Sequence, residues 1–116
     1  MHSLLHTHHL SNDLSVAPQL VPAAMAAAAQ AGFRSVINNR PDYEEGPEQP
    51  TSASIEAAAR AAGLEYVHLP VSGGYQSPQE ITAFGQLLQT LPKPILAFCR
   101  SGARSTKLYH ASRAQG

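Results

Sequence analysis

Cys99 is the only cysteine among 116 residues. It stands where the apolar run Pro94-Ile95-Leu96-Ala97-Phe98 gives way to Arg100-Ser101-Gly102-Ala103-Arg104-Ser105-Thr106. That junction reads as a buried strand, a tight turn and the start of a helix. A thiol so placed faces backbone N–H groups and the positive end of a helix dipole, both of which favour a nucleophilic thiolate. Gly102 allows close backbone approach, Ser101 and Ser105 offer hydroxyls, and Arg100 and Arg104 add two permanent positive charges. With the backbone at Ala103, these residues form an expected anion-binding nest around a nucleophile, Cys99 and Arg104 being its catalytic pair. An isolated cysteine is ordinarily an inert small hydrophobe. This setting points to catalysis or redox chemistry instead.

Further loops and elements must position that nest. Leu10 to Ala17 reads as a short strand pair turning at Asn12-Asp13. Pro22 suits a first helical position, the alanine-rich run from Ala23 to Ala31 propagates, and Gly32 stops it. Phe33 to Asn38 is a buried strand, and the polar stretch Asn39 to Pro50 a surface loop. Thr51 or Ser52 caps a helix to Ala62, ended by Gly63, and Leu64 to Leu69 is the next strand. Pro70 to Gln76 is a loop with Gly73-Gly74 as a hinge. Ser77-Pro78-Gln79-Glu80 has the form of a capping box opening a helix to about Thr90. The strand Pro94 to Phe98 then delivers Cys99, and a last helix starts near Ala103. Such alternation predicts an α/β fold, a three-layer parallel sheet flanked by helices. Ligands in such folds sit beyond the carboxyl ends of the strands, where the loops at Asn39 to Pro50, Pro70 to Gln76 and Cys99 to Ser105 converge.

At these residues the chain resembles known proteins. Cys99-Arg100-Ser101-Gly102-Ala103-Arg104-Ser105 is similar to the active-site loop of single-domain rhodaneses, which are sulfurtransferases. From Leu10 onward the chain resembles the beta-lactamase-hydrolase-like family, whose fold is similar to dual-specificity protein tyrosine phosphatases. Leu10 to Gln19, the run from Ala31 through Asn38-Asn39-Arg40-Pro41-Asp42, Leu69-Pro70-Val71 and the cysteine loop carry that likeness. The resemblance implies a phosphatase or a sulfurtransferase, often fused to a persulfide- or sulfide-oxidising enzyme. The abrupt end after the last helix fits a domain of a longer chain.

Two chemistries compete for the cysteine. In a phosphatase, Cys99 attacks phosphorus, Arg104 clamps phosphate oxygens and a carboxylic acid protonates the leaving alcohol. The phosphatase signature places one residue more between cysteine and arginine than the four found here, and position 105 is serine. The loop Pro70 to Gln76, where the related acid would lie, has no carboxylate, although Asp42, Glu44 or Glu45 could serve from the other rim loop. In a sulfurtransferase, Cys99 takes the outer sulfur of thiosulfate or a glutathione persulfide and passes it to a thiol acceptor, and no strong acid is needed. Sulfur transfer is therefore the primary expectation. Phosphatase action is the alternative, and a non-catalytic oxyanion-binding module the third reading.

Arg40 and Tyr75 join Arg100, Ser101, Gly102, Ala103 and Ser105 as expected substrate-binding residues. Arg40 could instead pair with Asp42 or Glu44, and Ser105 could bond the sulfur or merely cap its helix. Arg100 is expected to point outward, and Gln76 to share a pocket wall with Tyr75. His68, on a strand, reads as a satisfied core histidine, and His110 has no assigned role. Neither cofactor nor metal is expected. His2, His6, His8 and His9 cluster without a carboxylate or cysteine to complete a site, so residues 1–9 read as a flexible lead-in to a single catalytic domain, residues 10–116.

Eight basic and eight acidic side chains balance formally, which argues against nucleic acid as a partner. Half of the basic ones, Arg100, Arg104, Lys107 and Arg113, gather near the C-terminus. No internal disulfide is possible with one cysteine, which suits a reducing compartment. With no membrane-spanning run and no secretory signal, the chain reads as cytoplasmic.

Overall fold

A computed structural model of the chain describes residues 5–115. Five strands form one sheet: β1 (His8–His9), β2 (Leu14–Ala17), β3 (Ser35–Asn38), β4 (Glu65–His68) and β5 (Ile95–Phe98). Their spatial order is β1-β2-β5-β3-β4. The strands β2, β5, β3 and β4 run parallel, whereas β1 is antiparallel to β2. The sheet is therefore mixed and not parallel throughout. The cause is local: a tight turn, with Leu10 N–H donating to Leu14 O at 2.9 Å, returns the chain onto its neighbour, a connection only antiparallel strands allow.

That turn also shifts the expected boundary. The strand pair begins before Leu10, with His8 opposite Val16 and His9 opposite Ser15. His9 Nδ1 lies 3.1 Å from Ser15 Oγ. Two histidines assigned to the lead-in are thus part of the sheet, while His2 lies outside the described residues.

Four helices flank the sheet: α1 (Ala24–Gln30), α2 (Ser52–Ala61), α3 (Pro78–Thr90) and α4 (Ala103–Ala114). Their ends follow local chemistry. Thr51 Oγ1 accepts the Ser54 N–H at 3.2 Å to cap α2. At α3 the expected capping box is complete: Ser77 N–H donates to Glu80 Oε1 at 2.8 Å and Glu80 N–H to Ser77 Oγ at 3.1 Å. Beyond α1 and α2, Gly32 and Gly63 adopt positive φ, the left-handed stop that glycine tolerates.

Strand alternation sorts the core into two halves. On one face Val36, Leu96 and Phe98 pack with Met25, Ala28, Ile55 and Ala59 of α1 and α2. On the other Val16, Ile37, Ile95 and Ala97 pack with Phe84 of α3 and Leu108 of α4. Strand β5 sits between β2 and β3 with all four residues buried. Its carboxyl end therefore opens at the centre of the rim, beside the ends of β2, β3 and β4. Among the described residues no helix is long and apolar enough to cross a membrane.

Candidate active site

Cys99 follows β5 directly and is buried, 1 % exposed. Its neighbours fix it from two sides: Cys99 N–H donates to Ala17 O at 3.4 Å, and Arg100 O accepts the Gln19 N–H at 3.1 Å. The chain then turns at Gly102, whose φ of 92° is left-handed. A Cβ there would lie 3.5 Å from the Ala17 carbonyl, an ordinary contact. The requirement for glycine is thus the backbone angle and not space. This turn brings Gly102 N–H to 3.0 Å from Cys99 Sγ, a hydrogen bond that holds the sulfur at the helix start.

Gly102 is also the N-cap of α4 and offers no side-chain acceptor. The first-turn N–H groups have no intrahelical partner. That of Ala103 donates to Ser101 Oγ at 3.3 Å; those of Arg104 and Ser105 are available to an anion at the dipole's positive end. Cys99, Arg100, Ser101, Ala103, Arg104 and Lys107, with Gly73 from the loop after β4, line a cavity of 250 Å³.

Arg104 is held on its outer edge. Its Nη1 donates to Val71 O at 3.0 Å and lies 3.2 Å from Glu44 Oε2, while Nη2 donates to Glu44 Oε1 at 3.3 Å. Nε is buried and has no hydrogen-bond partner among the described residues. The guanidinium is therefore fixed at one edge and retains an unsatisfied donor.

Glu44 bridges two arginines, since its Oε1 is also 2.8 Å from Arg40 Nε. Partial burial pushes its carboxyl up, but hydrogen bonds and charge from Arg40 and Arg104 outweigh that and hold it below the usual carboxylate range. A depressed folded pKa means stability that is present above the unfolded value of about 4.3 and lost as pH falls through the folded one. Glu44→Gln is expected to lower the melting temperature at neutral pH. The gap from wild type should close as the medium is taken from pH 7 to about pH 3, which paired thermal melts would read directly.

The remaining expected site residues divide. Arg100 points outward, 68 % exposed, with Nε 2.9 Å from Glu45 Oε1. Arg40 does not line the cavity: it is buried behind it, with Nη1 donating to Gln19 Oε1 at 3.0 Å. Its acidic partners are Glu44 and Glu45, whereas Asp42 Oδ1 accepts the Ser52 N–H at 2.7 Å at the start of α2. Tyr75 is 67 % exposed and, like Gln76, is absent from the cavity wall, where Gly73 stands instead. His68 is satisfied, with Nε2 2.8 Å from Arg40 O.

Ser105 does not reach the sulfur. It is fully buried and its hydroxyl donates to Asn39 Oδ1 at 2.8 Å, while Asn39 Nδ2 donates to Leu69 O at 3.0 Å. Three rim loops are latched together by that pair. Ser105→Ala leaves a buried carbonyl without its donor and is expected to cost about 1–3 kcal/mol, measured by urea denaturation. Sequence reasoning missed Asn39 and the clamping role of Glu44. The available signal was the polar pair Asn38-Asn39 ending an apolar strand, where buried amides need designated partners.

Comparison with known proteins bears on which chemistry this geometry serves. Residues 6–116 match the family described as beta-lactamase hydrolase-like protein, phosphatase-like domain. A beta-lactamase hydrolase-like protein from Agrobacterium fabrum (strain C58) is 38 % identical over 100 residues, covering 86 % of this chain and 23 % of the relative. The chain thus spans less than a quarter of that relative's length. The crystal structure of a candidate phosphatase from Neisseria meningitidis Z2491 superposes with a TM-score of 0.84 at 33 % identity, covering 98 % of this chain and 78 % of the other. The core catalytic domain of the PP-IP phosphatase SIW14 from S. cerevisiae shares the fold, with a TM-score of 0.71 at 16 % identity, over 94 % of this chain and 65 % of that one.

The family match and the Neisseria meningitidis structure overturn the expectation of sulfur transfer and favour the phosphatase alternative. Both features that had favoured sulfur have a structural answer. The short spacing does not separate Cys99 from Arg104, because the left-handed turn at Gly102 enters α4 at once and both line one cavity. The loop without a carboxylate serves Arg104 through Val71 O, and the carboxylate that faces Arg104 comes from the loop after β3.

Proposed function

Since the chain belongs to the family of phosphatase-like domains of beta-lactamase hydrolase-like proteins, we propose that it is a cysteine-dependent phosphatase domain acting on phosphate esters. The observation that carries this reading is the cavity shared by Cys99 and an Arg104 whose buried Nε lacks a partner among the described residues.

In this reading each group of the cavity has a chemical task. Cys99 Sγ attacks phosphorus, an S–P bond forms as the ester P–O bond breaks, and the leaving oxygen takes the bonding electron pair. Arg104 Nε and the free first-turn amides of Arg104 and Ser105 bind the non-bridging oxygens, on which charge is spread in the transition state. Arg100 and Lys107 on the walls draw the dianion in. Water then attacks the phosphocysteine, releasing phosphate and regenerating the sulfur. Glu44 and Val71 act through Arg104 and are positioning groups.

The test is the covalent intermediate. A radiolabelled aryl phosphate turned over and quenched in acid should leave label on the denatured chain, and none on Cys99→Ser. Unlabelled chain, together with retained binding of inorganic phosphate, would reassign the domain to oxyanion binding without turnover.

A further inference from the structure

Every carboxylate on the rim beside the cavity is committed elsewhere or lies off its walls. Asp42 Oδ1 holds the Ser52 N–H at 2.7 Å. Glu44 is gripped between Arg40 and Arg104, at 2.8 and 3.2 Å. Glu45 Oε1 sits 2.9 Å from Arg100 Nε and 3.4 Å from Arg40 Nη2. Glu48, in the same loop, is exposed and does not line the cavity. The facing loop, Pro70 to Gln76, contributes Gly73 to the wall and contains no acidic residue.

Among the described residues, the walls themselves carry the guanidinium groups of Arg100 and Arg104, the ammonium of Lys107 and no carboxyl group. Such a site stabilises charge on the transferring phosphoryl group but places no carboxylic acid beside the departing oxygen. The ion pairs of Glu44 hold its carboxyl below the usual carboxylate range, so that group stays charged through neutral pH.

We infer that this domain is restricted to phosphate esters whose leaving group departs as a stable anion, such as aryl phosphates of acidic phenols, because the cavity supplies cations and no carboxylic acid. The inference rests on the phosphatase reading and narrows its substrate class. In the first step the Sγ–P bond forms, the P–O bond breaks and the electron pair leaves on oxygen. The leaving anion then takes its proton from solvent, after bond cleavage and not during it. Simple alkyl phosphates, whose alkoxide is a poor leaving group, are poor substrates on this account.

The experiment is a leaving-group series. kcat/KM would be measured for phenyl phosphates from the unsubstituted ester to p-nitrophenyl phosphate, with an alkyl phosphate as the far end, on the wild-type chain and on Cys99→Ser. The ratio kcat/KM covers every step through P–O cleavage. Expected is a steep fall as the leaving group becomes less acidic, by about 10²–10⁴-fold across the series, the range that a positioned acid would otherwise contribute. A flat series with Cys99-dependent turnover overturns the inference and leaves the phosphatase reading standing. The proton donor would then be sought at His6 and His8, which line a neighbouring cavity that shares Ser101 and Ala103 with this one. Absence of Cys99-dependent release from every ester removes both readings together.

Discussion

Cys99→Ser should lower kcat by on the order of 10⁴-fold or more, because the variant loses the thiolate nucleophile of the proposed mechanism. The fold should survive the change. Serine is close to cysteine in shape, and its oxygen can accept the Gly102 N–H that now donates to Sγ at 3.0 Å. Burial of the residue, 1 % exposed, means the new hydroxyl needs that partner, and the turn supplies it. Arg104 and the α4 amides are untouched, so affinity for the phosphate group should persist while turnover stops. Steady-state kinetics with an aryl phosphate, beside calorimetric titration of the same ester, would separate the two. A loss of binding equal to the loss of rate would instead mean that the sulfur serves the cradle's shape.

Arg104→Lys is the second large effect, and its expected cost is about 10²–10³-fold in kcat/KM, the size of losing an oriented donor to transition-state charge. The substitution keeps the charge, so a purely electrostatic role would predict little change. The geometry predicts otherwise. The guanidinium reaches Val71 O at 3.0 Å and Glu44 at 3.2 and 3.3 Å from one edge, while Nε remains for substrate. A single ammonium cannot hold both protein partners and still present a fixed donor to phosphate. Inorganic phosphate, used as an inhibitor, should weaken in parallel with kcat/KM. Near-wild-type values for both would show that charge alone suffices at this position.

Much of this architecture was legible along the chain because its causes are local. Thr51, the Ser77–Glu80 box, and Gly32 and Gly63 act within a few residues of themselves, and the structure places helix ends where those residues stand. The apolar run before Cys99 likewise announces a strand buried on both faces. The hairpin was displaced by a few residues because His8 and His9 carry no strand signature; only pairing with Val16 and Ser15 makes them β1.

The site was legible only in part, and the boundary follows sequence distance. Arg104 meets Val71 across 33 residues and Glu44 across 60, and Ser105 meets Asn39 across 66. No local pattern encodes those partners. They are neighbours because β5 inserts between β2 and β3, which sets the loop after β3 and the loop after β4 against the start of α4. Counting residues from Cys99 to Arg104 measured contour length where the chemistry depends on position in space, and so it favoured sulfur transfer wrongly.

By itself the sequence determined where the candidate nucleophile sits, that an arginine-bearing helix start follows it, and that alternating strands and helices carry both. These are consequences of hydrophobic period, capping and glycine placement, each acting over one or two turns. The tertiary structure alone decided that Arg104 is clamped by Glu44 and Val71, that Ser105 serves Asn39 and not the sulfur, and that a one-residue-shorter loop still joins Cys99 and Arg104 at one cavity. The physical reason is that a parallel sheet brings the carboxyl ends of its strands to a common rim in an order the chain does not follow.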